Sequence, residues 1–248
     1  PGTVITVDKE GMREYAFSEA QQLKPCIFEH VYFARPDSHI AGRNVHLVRR
    51  EFGKELYKEA PIEADIVIPI EDSGRSAAEG FSKASSIPLE RGFIRNHYIG
   101  RTFTRPSSIL RERGVNLKLS AIPEIFAGKR VVIIDDSIVR GNTAASRVLL
   151  ARQAGAKEVY LYISSPKLKD DCYYGIDFHK EQMRAVHTPD DQEFTEKIKV
   201  DKLVHLSLEG MYKAIERVAT DSRANMVYPN KSFCTGCIMS NHPVPREL

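Results

Sequence analysis

Two strand–loop–helix units constrain what this 248-residue chain can fold into. In the first unit, the all-apolar run 66–70 precedes a polar turn and a helical pattern that ends near Ala84. In the second, the apolar run 131–134 precedes the polar loop 135–143 and a helix with Gly155 as its C-cap. Strands that are apolar on both faces and alternate with helices are typical of a mostly parallel sheet covered on both sides. We therefore predict an α/β fold that binds its ligands at the carboxyl ends of the strands.

Other segments also have a readable pattern. Residues 4–17 alternate around a turn and predict an amino-terminal hairpin. Apolar residues spaced three and four apart predict a helix over residues 44–59, which Pro61 ends. Residues 159–163 predict the next strand, and residues 207–219 predict a helix.

Residues 91–123 are rich in Arg, Gly, Pro and Ser and show neither a helical nor a strand period. A segment of this length inside a compact domain is typical of a functional lid or of disorder. A solvated basic surface loop, or weak contact with RNA, is the alternative interpretation. The apolar character of residues 98–103 favours the lid.

Charge and composition exclude several classes of protein. The formal charge of +3 comes from 36 basic and 33 acidic residues, a balance that does not mark a nucleic-acid binder. No apolar run approaches the ~18 residues that a membrane span needs, and the first residues lack the pattern of a signal peptide. The hydrophobic content of 42% is enough for one large core. We predict a single-domain cytoplasmic protein that binds neither nucleic acid nor membranes.

The loop after the second strand combines a carboxylate pair with the start of a helix. Backbone N–H groups at the helix start, with Gly141 allowing close approach and Thr143 adding a hydroxyl, predict a site for a phosphate dianion. A sugar with vicinal hydroxyls can donate hydrogen bonds to Asp135 and Asp136, so a ribose 5-phosphate fits both halves of the loop. An ordinary turn with a helix cap is the alternative. The full context of residues 131–143 favours the ligand site, and the lack of a Walker pattern disfavours a nucleotide triphosphatase.

The run Asp-Asp-Ser-Ile-Val-Arg-Gly at 135–141 resembles the phosphoribosyl pyrophosphate loop of type I phosphoribosyltransferases, in the version typical of the amidophosphoribosyltransferase family. The other motifs similar to that family are Pro-Cys-Ile-Phe-Glu at 25–29, Tyr-Phe-Ala-Arg-Pro-Asp-Ser at 32–38, Asp-Ser-Gly-Arg at 72–75, Arg-Asn-His-Tyr-Ile-Gly-Arg-Thr-Phe at 95–103 and Cys-Tyr-Tyr-Gly-Ile-Asp at 172–177. The resemblance covers nearly the whole chain, with departures at Asn142 and Glu71, where the family usually has Thr and often has Pro. It implies a type I phosphoribosyltransferase fold as one domain over residues 1–248, with an amino-terminal hairpin and a carboxyl-terminal cluster-binding tail at about 205–248.

The resemblance also implies a reaction, in which ammonia displaces pyrophosphate at C1 of phosphoribosyl pyrophosphate and gives 5-phosphoribosylamine, the first step of de novo purine synthesis. The residues expected to bind the substrate are Asp72, Ser73, Gly74, Arg75, Asp135, Asp136, Ser137, Arg140, Gly141, Asn142 and Thr143. Those expected around Mg²⁺ are Ser73, Asp135 and Asp136. Those expected to be catalytic, within the lid, are Tyr98, Arg101 and Lys118. Taken alone, residues 72–75 would be a plain turn.

Members of the family take ammonia from glutamine, which a separate amino-terminal glutaminase domain hydrolyses with a cysteine as its first residue. This chain begins with Pro1, and its first cysteine is Cys26. We therefore expect the glutaminase half to be absent and the chain to use free ammonia only. Family members are homo-oligomers inhibited by purine nucleotides, and we expect both properties here.

Cys234 and Cys237 form a C-x-x-C pair, which is a half-site for a metal ion or a cluster. A zinc ribbon needs a second close pair, whereas Cys26 and Cys172 are far apart in sequence. Four unligated thiols are the remaining alternative. The resemblance implies a [4Fe–4S] cluster on all four cysteines, with a structural role.

Other functions stay open at this point. A salvage phosphoribosyltransferase would share the loop 135–143 but not the motif 95–103 or the four cysteines. A non-enzymatic regulator would bind phosphoribosyl pyrophosphate and control a partner or DNA, although no helix-turn-helix pattern is visible in the sequence. An inactive fragment would fold without catalysing the reaction.

Overall fold

The computed structural model describes residues 2–17, 23–95, 119–176, 183, 190–218 and 232–243. Its strands are β1 Thr3–Asp8, β2 Gly11–Ala16, β3 His39–Ile40, β4 Arg43–Asn44, β5 Ile66–Pro69, β6 Phe93–Arg95, β7 Leu119–Ala121, β8 Arg130–Asp135, β9 Glu158–Ile163 and β10 Lys202–His205. Its helices are α1 Val45–Glu59, α2 Arg75–Ser85, α3 Pro123–Phe126, α4 Asn142–Gln153, α5 Asp191–Ile198, α6 Leu208–Arg217 and α7 Gly236–Met239, and a π-helical turn spans Glu29–Phe33. None of the helices in these ranges combines the length and the apolar character that crossing a bilayer requires.

A parallel sheet in the order β10-β9-β8-β5 forms the centre of the fold. This arrangement confirms the predicted parallel sheet. Its register pairs Pro69 of β5 with Ile134 of β8, so the two strands end side by side at the same edge. The sequence patterns do not reveal the edge strand β10, because its apolar residues are only Leu203 and Val204.

Side chains of the central strands are buried on both faces of the sheet, because successive side chains point to opposite sides. On β8, Val132 and Ile134 join the core formed with α1, α2 and α6, whereas Val131 and Ile133 join the core formed with α4 and α5. Full burial of each such side chain contributes roughly 1.5–3 kcal/mol. The all-apolar run therefore holds in place the strand that ends at the carboxylate pair.

The predicted helices are present, and side chains cap two of them. The side-chain oxygen of Asn44 accepts a hydrogen bond from the first turn of α1, and Ser207 does the same for α6. The second strand–loop–helix unit differs slightly from its prediction, since α4 begins at Asn142 rather than Ala144. Gly155 follows the end of α4 with a φ of +89°, as a C-capping glycine should.

Among the described residues, three antiparallel strand pairs lie outside the central sheet: β1 with β2, β3 with β4, and β6 with β7. The predicted amino-terminal hairpin is confirmed as β1 and β2, and its side chains are exposed throughout. Strands β6 and β7 pair antiparallel and form the base of the predicted lid. Residues 96–118, which connect them, lie outside the described residues.

Candidate active site

A cavity of about 610 Å³ lies at the carboxyl edge of the sheet, where β5 and β8 end. Loops from both strands line it, with Glu71 and Ser73 after β5 and residues 135–141 after β8. The Ile70 N–H donates to the Ile134 carbonyl at 2.8 Å, which holds the starts of the two loops together. The parallel register therefore unites two loops that are distant in sequence.

Asp135 and Asp136 form a buried carboxylate pair on the wall of this cavity, and each is 6% exposed. The Asp136 N–H donates to Oδ1 of Asp135 at 2.9 Å. Burial, and after it the neighbouring Asp136 carboxylate, hold the pKa of Asp135 well above its usual range. The pair therefore favours a ligand that brings positive charge or hydrogen-bond donors.

The start of α4 opens onto the same cavity. Gly141 precedes the helix with a φ of +85°, a left-handed conformation that glycine adopts without strain. Within the described residues, no side chain caps α4, so the N–H groups of its first turn are left for solvent or a ligand. Arg140 and Thr143 also line the cavity. This combination of groups suits an anion.

The loop after β5 passes close to the backbone of β8. A Cβ atom on Gly74 would lie 2.3 Å from the carbonyl oxygen of Ile134, so the approach requires glycine. Asp72 accepts a hydrogen bond from Arg95 of β6 at 3.0 Å, which ties the loop to the base of the predicted lid. Burial, and after it the neighbouring Asp72, raise the pKa of Glu71.

A second cavity, of about 550 Å³, adjoins the first. The residues that the two cavities share are Tyr32, Phe33, Glu71, Ser73 and Arg147. The charged residues on the remaining wall of the second cavity are Arg35, Arg49, Asp72 and Arg95. A wall with this many guanidinium groups suits a polyanion beside the carboxylate pair.

The predicted site residues fall into three groups. Those that line the first cavity are Ser73, Asp135, Asp136, Ser137, Arg140, Gly141 and Thr143, and Asp72 lines the second. Those at the starts of α2 and α4, off the walls of these two cavities, are Gly74, Arg75 and Asn142. Those outside the described residues are Tyr98, Arg101 and Lys118.

The four cysteines come from three segments that are distant in sequence and meet near Phe33. Cys26 and Cys234 lie on paired backbone segments. Backbone N–H groups of residues 169–170 donate to the Cys237 carbonyl at 2.8 and 3.1 Å, which brings the segment of Cys172 alongside. A cavity of about 410 Å³ is lined by Cys26, Cys172 and Cys234, and it shares Phe33, Gly175 and Ile176 with the first cavity.

The environment of Cys26 and Cys237 favours the protonated form of both thiols in the absence of a metal. Burial, and after it the neighbouring thiols, raise the pKa of Cys237 to about 12. Burial is also the main reason that the pKa of Cys26 is raised to about 11. Metal binding at this site would release those protons. Across the described ranges, no three Cys, His, Asp or Glu side chains converge on a single metal ion. An iron–sulfur cluster does not require the side chains to converge on one ion, because each thiolate binds its own iron atom.

Comparison with known proteins shows what this chain is similar to. The amidophosphoribosyltransferase of Bacillus subtilis is 44% identical over 245 residues, which cover 98% of this chain and 50% of the relative. The amidophosphoribosyltransferase of Synechococcus elongatus is 42% identical over 250 residues, which cover 100% of this chain and 48% of the relative. This chain is homologous to the amidophosphoribosyltransferases. No protein-family model matches it.

A solved structure supports the same relation. The glutamine phosphoribosylpyrophosphate amidotransferase of B. subtilis, complexed with ADP and GMP, matches this chain with a TM-score of 0.83 at 42% identity. The match covers 99% of this chain and 52% of that chain. The predicted type I phosphoribosyltransferase fold is thereby confirmed, and the chain spans about half the length of the amidophosphoribosyltransferases that it matches.

Sequence reasoning about this amidophosphoribosyltransferase homologue missed several residues of the cavity walls. Arg147 lies four residues after Thr143, so one helical turn places both on the same face of α4. That periodicity was a usable signal. Tyr32 and Phe33 lie in a motif that resembles the family, but only the tertiary structure places the π-helical turn that carries them beside the carboxylates.

Proposed function

We propose that this chain carries the phosphoribosyl-transfer step of an amidophosphoribosyltransferase. Ammonia displaces pyrophosphate from C1 of phosphoribosyl pyrophosphate, and 5-phosphoribosylamine forms, as the first step of de novo purine synthesis. The observation that carries the proposal is the meeting of the loops 71–75 and 135–143 on one cavity. A carboxylate pair beside an open helix start suits a sugar phosphate.

Each part of the substrate has a proposed partner. The amino terminus of α4 holds the 5-phosphate, because free N–H groups and the positive end of the helix dipole meet there. The ribose hydroxyls donate to Asp135 and Asp136. The pyrophosphate lies toward Ser73 and the second cavity, whose basic wall attracts it.

The residues proposed to hold Mg²⁺ are Ser73, Asp135 and Asp136. Their fit rests on the buried carboxylate pair, whose mutual repulsion a cation relieves. Mg²⁺ usually takes one or two carboxylates and completes its octahedron with waters and substrate phosphates. It therefore does not need three converging side chains, and bound Mg²⁺ supplies positive charge to a departing pyrophosphate.

In the reaction, the nitrogen lone pair of ammonia forms the C1–N bond, and the C1–O bonding pair leaves with pyrophosphate. The ammonium group that results gives a proton to solvent. Water would compete for the developing cation at C1, so the proposal includes closure of the lid at about 91–123. Within the lid, Tyr98, Arg101 and Lys118 keep their proposed catalytic roles.

We propose a [4Fe–4S] cluster on Cys26, Cys172, Cys234 and Cys237. The support is a cavity lined by thiols from segments that are far apart in sequence. Such a cluster fastens the tail at about 205–248 to the core, and the reaction itself involves no change in oxidation state. We further propose that residues 1–248 form one domain. We also propose that the protein is located in the cytoplasm.

The proposed partners follow from the same relation. Ammonia reaches the site either from solution or from glutamine by way of a separate glutaminase domain. The B. subtilis relative is complexed with ADP and GMP, which supports purine nucleotides as inhibitors of this chain. We also propose that the protein forms a homo-oligomer. We do not expect it to bind nucleic acid or a membrane.

The test is to purify the chain without oxygen and to measure pyrophosphate release and phosphoribosylamine formation from phosphoribosyl pyrophosphate and Mg²⁺. One reaction contains ammonia and a second contains glutamine. We expect turnover with ammonia alone. Asp136→Asn should lower kcat/KM about a hundredfold or more, because it removes a charge at the reacting sugar.

The matched control is Glu63→Gln, which removes an exposed carboxylate that precedes β5 and thus lies at the opposite edge of the sheet. It should leave turnover unchanged. Turnover with glutamine would contradict the expectation that the chain uses ammonia only. Tight binding of phosphoribosyl pyrophosphate without turnover would favour a regulator, and the absence of both would overturn the proposal.

A further inference from the structure

Arg147 lies on α4 at the junction of the two cavities. It lines both of them, together with Ser73 and Glu71 of the loop after β5. It comes one helical turn after Thr143, which lines the first cavity near the helix start. Arg147 therefore lies one helical turn beyond the groups proposed to hold the 5-phosphate, and it shares both cavities with the loop after β5.

The guanidinium of Arg147 has buried donors that none of the described residues satisfies. Its Nε and Nη1 atoms are buried and have no hydrogen-bond partner within the described residues. The charge of Asp135 acts on it, but no hydrogen bond joins the two side chains. A buried donor without an acceptor destabilises the fold, and a charged donor does so more strongly, so such groups usually meet a ligand or ordered water.

The other arginines of the second cavity differ in this respect. Arg35 pairs with Asp37, Arg95 pairs with Asp72, and Arg49 donates to backbone carbonyls of the π-helical turn. Their donors are at least partly used inside the chain. Among these arginines, Arg147 thus has buried N–H donors that remain available to a hydrogen-bond acceptor of a ligand.

We propose that Arg147 is a further substrate-binding residue, which contacts the pyrophosphate group of phosphoribosyl pyrophosphate. This inference rests on the proposed function. The 5-phosphate is assigned to the start of α4, so the anion nearest to Arg147, Ser73 and the second cavity is the pyrophosphate. A buried guanidinium stabilises this group increasingly as it departs and gains negative charge.

The experiment measures binding by calorimetry, with Mg²⁺ present, for the wild type, Arg147→Gln, Arg147→Lys and Arg152→Gln. Arg152 is the matched control, because it lies on the same helix but bonds to Asp201 and to the Lys199 carbonyl. The ligands are phosphoribosyl pyrophosphate, inorganic pyrophosphate and ribose 5-phosphate. A thermal unfolding curve for each variant tests whether that variant is folded.

We expect Arg147→Gln to weaken binding of phosphoribosyl pyrophosphate and of pyrophosphate by about ten- to a hundredfold, as for a lost charge-assisted hydrogen bond. Ribose 5-phosphate should bind within about twofold of the wild type. Arg147→Lys keeps the positive charge but lacks the planar guanidinium, so the loss of affinity for these two ligands should be smaller, roughly three- to tenfold. Arg152→Gln should bind all three ligands as the wild type does.

Unchanged pyrophosphate affinity in Arg147→Gln would overturn the inference while leaving the proposed function intact. An equal loss for ribose 5-phosphate would overturn it too, because the effect would then be a general distortion of the site. If Arg147→Gln does not fold, an unchanged pyrophosphate affinity in Arg147→Lys overturns it instead. A wild-type chain that binds none of the three ligands would overturn the proposed function and, with it, this inference.

Discussion

Buried polar side chains fall into two groups at the scale of single residues. Arg43 and Arg49 serve the fold, since their guanidinium groups donate to backbone carbonyls that include those of Ile215 and His30. Asp135 and Arg147 line the first cavity, and two buried donors of Arg147 have no partner among the described residues. A buried charge without a full set of partners costs free energy, and a bound ligand can offset that cost.

His30 predicts a dependence of stability on pH. Burial, and then Arg43 and Arg49, lower the pKa of His30 to about 3, from 6.5 in the unfolded chain. The unfolded chain therefore takes up a proton below pH 6.5 that the folded chain does not, so stability falls as the pH drops from 6.5 toward 3. The loss attributable to His30 at pH 5 is about 2 kcal/mol.

Replacing this ring tests the assignment. His30→Phe keeps an aromatic ring against Phe233, whose centroid lies 5.6 Å away, but cannot be protonated. We expect the difference in the free energy of unfolding between pH 7.5 and pH 5, measured with urea, to shrink by about 2 kcal/mol. His39→Gln, at an exposed position on β3, is the control and should keep the wild-type difference. A full wild-type difference in His30→Phe would contradict the prediction.

Gly236 lies in the C-x-x-C turn, and its replacement should affect iron binding at the cysteine site. A Cβ atom there would lie 2.2 Å from Cδ2 of His242. The His242 ring is held in place because it stacks on Tyr173 at 4.5 Å and its Nε2 lies 3.0 Å from the Asp171 carbonyl oxygen. We expect Gly236→Ala to disturb the C-x-x-C turn and to weaken iron retention roughly tenfold, as for other residues that support metal ligands.

Iron and sulfide content after anaerobic purification measures this effect. Met239→Ala alters an exposed side chain in the same short helix and is the control. It should hold as much iron as the wild type. Wild-type iron content in Gly236→Ala would show that the turn tolerates the extra carbon.

At the scale of elements, the close packing of α1 on α2 depends on two glycines. A Cβ atom on Gly53 would lie 1.8 Å from the Ala77 carbonyl oxygen, and one on Gly80 would lie 1.8 Å from that of Arg50. The two helix backbones therefore touch directly at this crossing. Since α2 begins where the loop after β5 ends, the crossing also supports one wall of the active site.

Gly80→Ala tests this crossing. On an isolated helix the substitution would stabilise by up to about 1 kcal/mol, through helix propensity. Here we expect a loss of about 3 kcal/mol in the free energy of unfolding, because the helices must separate. Lys83→Ala, at an exposed position of the same helix, should change it by less than about 0.5 kcal/mol. A Gly80→Ala protein as stable as the wild type would contradict the prediction, as measured by urea unfolding.

At the scale of the whole molecule, the proposed cluster joins three segments that are far apart in the sequence. Removing the iron with a chelator should lower the Tm by roughly 5–10 °C, because a group that binds only the folded state stabilises it. Limited proteolysis should then cut near residues 232–243, while the far-ultraviolet circular dichroism of the central sheet persists. A Cys172→Ser variant should show no further loss of Tm with chelator. An unchanged Tm in wild-type protein that has lost its iron would contradict a structural role.

Local features were readable from the sequence because they depend on neighbours in the chain. The alternation of apolar strands and helices predicted the parallel sheet, and the spacing of apolar residues predicted α1 and α6. Asp135, Asp136 and Gly141 were predicted as a sugar-phosphate site because a strand end, a carboxylate pair and a helix start follow one another within a few residues. The family resemblance extended this prediction to the loop 72–75.

Only the tertiary structure decided which distant residues meet. The register of β5 with β8 brings the two loops to one cavity, and α4 presents Arg147 to both cavities. Strand β10 has polar residues at both ends, and it forms because it pairs with the edge of β9. Its own residues do not predict this pairing. The family resemblance implied that the four cysteines meet, and the packing of distant segments brings Cys26, Cys172 and Cys234 to one cavity. These features depend on packing between segments far apart in the chain, and short-range patterns carry no information about that packing.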